Sequence, residues 1–259
     1  MSVIPDTSRP QVPAADQTLR ILSLLARQPA PMAAQSIATA LGLPRSTTYH
    51  LLTTLAQHGY VVHLADDHRW GLGTAAFELG GGYARQQPLA RLGRPLLAAL
   101  TDRLGESTHL AVLVGRDVLY IVEERAPRRP TLVTDVGVRL PAHLAASGQA
   151  MLAALPPAQV RALYPDAAAL TQRTARGPRT RADLRDALRR VRTDGFARED
   201  GEVTPGFRSV ASAVLDHADW PIAAVAVTWP AETEREAAEL ADAARACARE
   251  LARRIRPGA

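Results

Sequence analysis

The 259-residue chain contains no lysine; all 31 of its basic residues are arginine. A Walker-type phosphate loop needs its lysine, and pyridoxal or class I aldol chemistry needs a Schiff-base amine, so all three are excluded. Cysteine is present once, as Cys247, which rules out an intrachain disulfide framework and a CxxC metal site. In the segment ARACARELARRI that thiol reads as a small residue packed within a helix. No apolar run approaches the ~20 residues of a membrane span, and no basic segment followed by an apolar stretch opens the chain. A soluble, cytoplasmic protein with no membrane partner is expected. Nor do the seven histidines show metal-ligand spacing, except around His58, His63 and His68 on a helix end and a hairpin, so neither a metal nor a cofactor is expected. The net charge is +5, yet up to Leu92 there are seven Arg against five Asp or Glu. Charge alone therefore marks no nucleic-acid face.

What is present is a stretch from Leu41 to Tyr60, LGLPRSTTYHLLTTLAQHGY, with the form of the second half of a helix-turn-helix. Gly42 breaks one helical pattern, and Pro44 has the fixed φ suited to a first helical turn. At about 100° per residue, Thr48, Leu51, Leu52 and Leu55 share one arc, and Ser46, His50, Thr53 and Gln57 lie opposite, with Tyr49 and Thr54 at the edges. The outer face thus holds hydroxyls, an imidazole, an amide and a phenol, groups suited to reading base edges in a major groove. An ordinary amphipathic helix with an uncharged exterior is the competing reading. Arg45, Ser46 and Thr47 at the helix start are candidates for phosphates and first base edges, and Tyr49, His50 and Thr53 for bases further in.

The two halves around this stretch differ in pattern. Residues 1–15, with three prolines, read as a disordered tail, and residues 16–73 as a winged helix-turn-helix domain. Its first helix is expected from Thr18, its second over Gln35 to Leu41, and its wing in YVVHLADDHRWGLG, with His68 and Arg69 at the tip as candidate DNA contacts. Residues 74–92 read as a linker helix, broken near Pro88 and softened by Gly80, Gly81 and Gly82. Residues 93–259 alternate strands and helices. HLAVLVG, DVLYIVEE and TLVTDVG are expected to form an antiparallel meander, followed by a loop and helix in RLPAHLAASGQAMLAALPP. A helix over Arg181 to Asp194, the strands FAREDGE, RSVASAVLD and PIAAVAVTW, and a closing helix from Glu232 to Ile255 complete the chain. The fold class is α+β, with one sheet covered by helices in the C-terminal domain. The arginines between Arg173 and Arg192, interspersed with Asp183 and Asp186, describe a solvated helix face.

Taken in order, LGLPRSTTYHLLTTLAQHGYV, GVRLPAHLAASGQAMLAAL and GFAREDGEVTPGFRSVASAVLD followed by IAAVAVTWP resemble the IclR family of transcriptional regulators, from Thr18 to Arg254. The resemblance implies an N-terminal winged helix on double-stranded operator DNA, a dimerising linker, and a GAF-like C-terminal domain that binds a small organic or aromatic acid. It implies a homodimer or a dimer of dimers acting as a regulator, such as a repressor, rather than as an enzyme. The positions matching the family's effector pocket are Leu132, Leu140, Ala146, Ser147, Glu199, Phe207, Ser209, Ala226 and Thr228. Their chemistry supplies apolar walls, hydroxyls and one carboxyl, beside a helix start whose unpaired amides favour an anion. The chain departs from the family in His50 for a frequent arginine, in Gln149 for the usual lysine, and in the glycine run.

Other function classes are weighed on the same residues. Ser147 with nearby His143 raises a hydrolase, but AASGQA is not the GxSxG elbow. A small-molecule-binding protein whose trihelix meets protein instead of DNA is the other alternative, and in a separate reading the residues matching the pocket merely complete the domain core.

Overall fold

The computed structural model describes residues 11–79, 88–127 and 134–255. The chain divides into two compact units, Met1–Gln86 and Gln87–Ala259. In the first, α1 (Pro13–Leu25), β1 (Met32–Ala33), α2 (Ala34–Leu41), α3 (Arg45–Gln57), β2 (Val61–Leu64), β3 (Arg69–Leu72) and α4 (residues 74–79) follow one another. Helix α1 opens on a proline in its first turn, where a missing amide costs nothing, and so begins inside the stretch read as tail. Gly42 takes φ 65° at the end of α2, and the amide of Leu43 closes back on the Ala38 carbonyl at 2.9 Å. That left-handed cap turns the chain into α3. Ile21, Ile37 and Leu52 are fully buried between the three helices, with Trp70 of the wing closing the cluster.

The wing is the expected hairpin. Val61 pairs with Leu72 and Leu64 with Arg69, and residues 65–68 form the loop. Sequence reading missed β1, whose two residues pair with Trp70 and Arg69 and make a three-stranded sheet. Two residues are too few to carry a period.

The second unit begins with α5 (Pro88–Leu104), which runs straight through the boundary between residues 92 and 93 set from sequence. It is built on a six-stranded antiparallel sheet in the order β6-β5-β4-β9-β8-β7. The strands are β4 (Ser107–Val114), β5 (Asp117–Glu124), β6 (Arg139–Pro141), β7 (Ala197–Asp200), β8 (Phe207–Leu215) and β9 (Pro221–Pro230). Helices α6 (Ala146–Ala154), α7 (Pro157–Leu163) and α8 (Arg181–Asp194) come between β6 and β7, and α9 (Ala237–Ile255) closes the unit. Strand β9 shows how the layers are made. Ala224 and Ala226 belong to the cluster under α6 and α8, whereas Val225 and Val227 belong to the cluster under α5 and α9. A period of two thus sorts small residues to one face and branched ones to the other. Cys247 is buried in the α9 layer, as its setting suggested.

Three sequence expectations need correction. Of TLVTDVG, residues 134–137 form a loop and turn, and the edge strand is β6 instead. The Asp135 carboxylate accepts the Val136 amide at 2.7 Å and Gly137 takes φ 88°, so a turn precedes the ladder. Pro156 and Pro157 do more than stop a helix; Pro157 starts α7. The closing helix begins at Ala237, five residues after Glu232. Helix α8 has the expected bounds, held by a Thr180–Asp183 capping box, with Leu184, Leu188 and Val191 inward and its arginines outward. The glycine run 80–82 and Leu132 lie outside the described residues.

Candidate DNA-reading helix and effector cavity

Helix α3 buries Thr48, Leu52 and Leu55 and exposes Arg45, Ser46, Tyr49, His50 and Thr53, while Thr47 is half-buried. Two threonines satisfy themselves locally: the Thr48 hydroxyl donates to the Pro44 carbonyl at 3.1 Å, and that of Thr54 to His50 at 3.0 Å. Thr48 is thereby buried without cost, and Thr54 is committed to the helix backbone. The Arg45 guanidinium lies over the Tyr49 ring at 5.8 Å, which holds both at the N-terminal end of the exposed face. At the wing, His68 takes φ 50°, a left-handed conformation that turns the hairpin tip. Arg69 is exposed but donates to the Pro31 carbonyl at 3.1 Å, so the guanidinium is anchored to the β1 side of the wing.

In the second unit, a narrow cavity of about 30 Å³ lies where α6 begins over the sheet. Seven of the nine residues picked from sequence line it: Ala146, Ser147, Glu199, Phe207, Ser209, Ala226 and Thr228. Leu140 does not; it is buried in the neighbouring apolar cluster. The register explains the grouping. Glu199 pairs with Ser209 and Ser209 with Thr228, so one row of polar side chains crosses β7, β8 and β9 on the α6 face. The Ser209 and Thr228 hydroxyls bond each other at 2.9 Å. Glu199 is 5% exposed and accepts the Val203 amide at 3.0 Å. Burial pushes its carboxyl up to about 7, against the pull of the Val203 amide and the Ser209 hydroxyl.

The opposite wall is the first turn of α6. Ala145 caps the helix without a side-chain partner, and the amides of Ala146, Ser147 and Gly148 have no helical carbonyl four residues back. The cavity thus has an electropositive end at α6 and a hydroxyl-rich end at the sheet. Sequence reading missed Tyr120, Thr134, Ala145, Val203 and Thr204, which also line it. Tyr120 was legible, since it alternates with buried Val118 and Val122 in DVLYIVEE. Its hydroxyl meets Ser147 Oγ at 3.3 Å, and burial pushes the phenol up to about 12, so it remains a neutral donor. Thr134 carried no pattern; it is placed by the buried His109 ring, whose Nε2 bonds its hydroxyl at 2.8 Å. Arg125 holds the same segment by pairing with Glu123 at 3.0 Å and Asp135 at 3.3 Å.

Ser147 and His143 have separate partners. His143 Nε2 donates to the Thr171 carbonyl at 2.8 Å, and burial lowers its basicity. Gln149, at the position of the family's usual lysine, donates to the His143 carbonyl at 3.1 Å and so ties α6 to the preceding loop.

Residues 81–253 match the description "Bacterial transcriptional regulator IclR C-terminal", and residues 14–65 match "IclR helix-turn-helix domain". The chain belongs to the IclR family. It is 31% identical over 224 residues to the acetate operon repressor of Salmonella typhimurium, covering 85% of this chain and 81% of that protein. Among solved structures, an IclR transcriptional regulator from Alicyclobacillus acidocaldarius superposes with a TM-score of 0.83 at 23% identity, covering 94% of this chain and 99% of its own. An IclR homologue from Microbacterium hydrocarbonoxydans, solved in complex with 4-hydroxybenzoate, gives 0.75 at 23% identity over 95% of this chain and 100% of its own. As an IclR-family protein the chain is a DNA-binding transcriptional regulator with an N-terminal helix-turn-helix and a C-terminal domain of a sheet covered by helices. Among the described residues, no helix is long and apolar enough to cross a membrane.

Proposed function

We propose that this regulator binds a pseudo-palindromic operator as a homodimer, through the exposed face of α3, and releases or tightens it when a hydroxylated carboxylic acid enters the α6 cavity. The observation that carries the reading is the cavity's polarity: free helix-start amides at one end and the Glu199, Ser209 and Thr228 row at the other. A carboxylate suits the first and a ligand hydroxyl the second. The Microbacterium relative's 4-hydroxybenzoate has both groups, which supports this class of guest. On α4, Phe77 is 85% and Leu79 62% exposed, and such apolar side chains support a pairing surface that spaces two recognition helices about 34 Å apart.

Titration with hydroxybenzoates, protocatechuate, pyruvate and glyoxylate tests the sensing. At least one should raise the melting temperature and alter operator affinity, and Ser209→Leu should abolish the response while leaving operator binding intact. A panel without effect on either measurement would refute acid sensing.

The reading face of α3 makes a separate prediction. On an operator selected from random duplexes, His50→Ala should cost about 1 to 3 kcal/mol at one base position, whereas Arg45→Ala should weaken all sequences alike. Anisotropy titrations against single-base operator variants separate the two patterns, and an unchanged base preference in His50→Ala would misassign the groove face.

A further inference from the structure

A groove of about 530 Å³, far larger than the effector cavity, lies at the free stretch of β8, between α6, the end of α8 and α9. Strand β7 stops pairing at Ala197–Ala211, so residues 212–215 of β8 form a wall that β7 does not cover. Alanines from α6, β8 and α9 keep the floor open, with Val191, Phe196 and Leu215 as its bulkier apolar surface.

Four guanidinium groups ring this floor. Arg245, Arg249 and Arg253 recur every four residues along one face of α9, and Arg192 projects from α8; one acid, Asp219, lines the groove against them. Their commitments differ. Arg192 donates to the Ala153 carbonyl at 2.7 Å, Arg245 is held by Asp242 at 2.9 Å, and Arg253 is held by Glu250 at 2.8 Å. Arg249 is exposed, and among the described residues no ion pair holds it. Within the groove lies a further group with no structural use: Ser212 is 4% exposed and its Oγ has no hydrogen-bond partner. A buried hydroxyl without a partner carries a desolvation cost that a ligand oxygen would recover.

We propose that this groove is a second ligand site, separate from the effector cavity, for a small, multiply charged organic anion such as a polycarboxylate or sugar phosphate. Its acid groups would be taken by Arg249 with Arg245 or Arg253, and an oxygen of its body by Ser212. The volume lies within the range of small-molecule sites, and planar guanidinium donors match carboxylate and phosphate oxygens alike. A neutral or singly charged aromatic acid leaves most of these donors unanswered.

Citrate and glucose 6-phosphate, titrated into the full chain at constant ionic strength with calorimetry and thermal denaturation, distinguish the two chemistries. At least one should bind saturably. Arg249→Gln should weaken that binding at least about tenfold, Ser212→Ala severalfold, and Ser209→Leu, which fills the effector cavity, should leave it unchanged. Absence of saturable binding by either probe overturns the proposal. So does a loss of binding in Ser209→Leu equal to that in Arg249→Gln, which would put the anion in the effector cavity. A change of solution mass in Arg249→Gln would make the groove an interface between copies and equally overturn it.

Discussion

Gly148→Ala is expected to cost about 4 kcal/mol or more and to lower the melting temperature of the second unit by roughly 10 °C. Gly148 lies in the first turn of α6, in an ordinary helical conformation, so the reason is space and not φ. A Cβ built on it would stand 2.1 Å from the Ala142 carbonyl oxygen and 2.4 Å from Ala142 Cα. Both are backbone atoms. Ala142 is fully buried and its amide donates to the Arg116 carbonyl at 2.8 Å, so the loop has no room to withdraw. Relief requires α6 to move off the sheet, which would separate its amides from the polar row and undo the Gln149 tie to His143. Thermal unfolding followed by circular dichroism checks this, and a melting temperature within 2 °C of wild type would show that α6 is not pinned as described.

The second large effect depends on pH. In Glu199 burial raises the folded-state pKa from the ordinary 4.5 to about 7. Between these values the folded chain holds a proton that the unfolded chain has released, so the contribution is whole below about 4.5 and is lost as pH rises through 7. The difference integrates to roughly 3 kcal/mol. Glu199→Gln retains an oxygen for the Val203 amide but cannot ionise. Its stability relative to wild type should therefore improve by about that amount between pH 4.5 and pH 8, a rise in melting temperature on the order of 5–10 °C in the comparison. Because both chains share every other titrating group, the difference isolates this carboxyl. A pH-independent gap between the two melting curves would mean that Glu199 is ionised throughout.

Much of this arrangement was legible before any coordinates. Helix α3 was readable because Thr48, Leu52 and Leu55 keep a clean helical period, and Gly42 marks the turn by the one conformation that favours it. Helix α8 was readable because its cap and its apolar stripe agree. Strand β6 was not, since three residues beside a turn carry no alternation, and TLVTDVG offered a stronger pattern than the ladder uses. Seven cavity residues came from the family resemblance, not from periodicity. Thr134 and Thr204 escaped because loop residues take their place from long-range partners such as His109, which lies twenty-five residues from Thr134 in sequence. Of the four groove arginines only Arg192 fell in the stretch read as a solvated helix face, and the fold alone brings it to one opening with Arg245, Arg249 and Arg253 of α9.

The proposed effector cavity, at about 30 Å³, holds no more than about two water molecules. An aromatic acid needs several times that space, so the proposed capture requires a wider form of the same cavity. Affinity for the acid is then the product of two quantities, the intrinsic fit and the fraction of chains that are open, and a pocket open one time in a hundred binds about a hundredfold more weakly than its contacts allow. Selectivity among acids of similar shape is set by contacts, whereas the concentration at which the regulator responds is set by that fraction. Substitutions outside the lining that loosen the seat of α6, such as at Gln149, which ties α6 to the His143 carbonyl, would move the response threshold without changing which acid is preferred. The threshold can therefore be retuned independently of recognition.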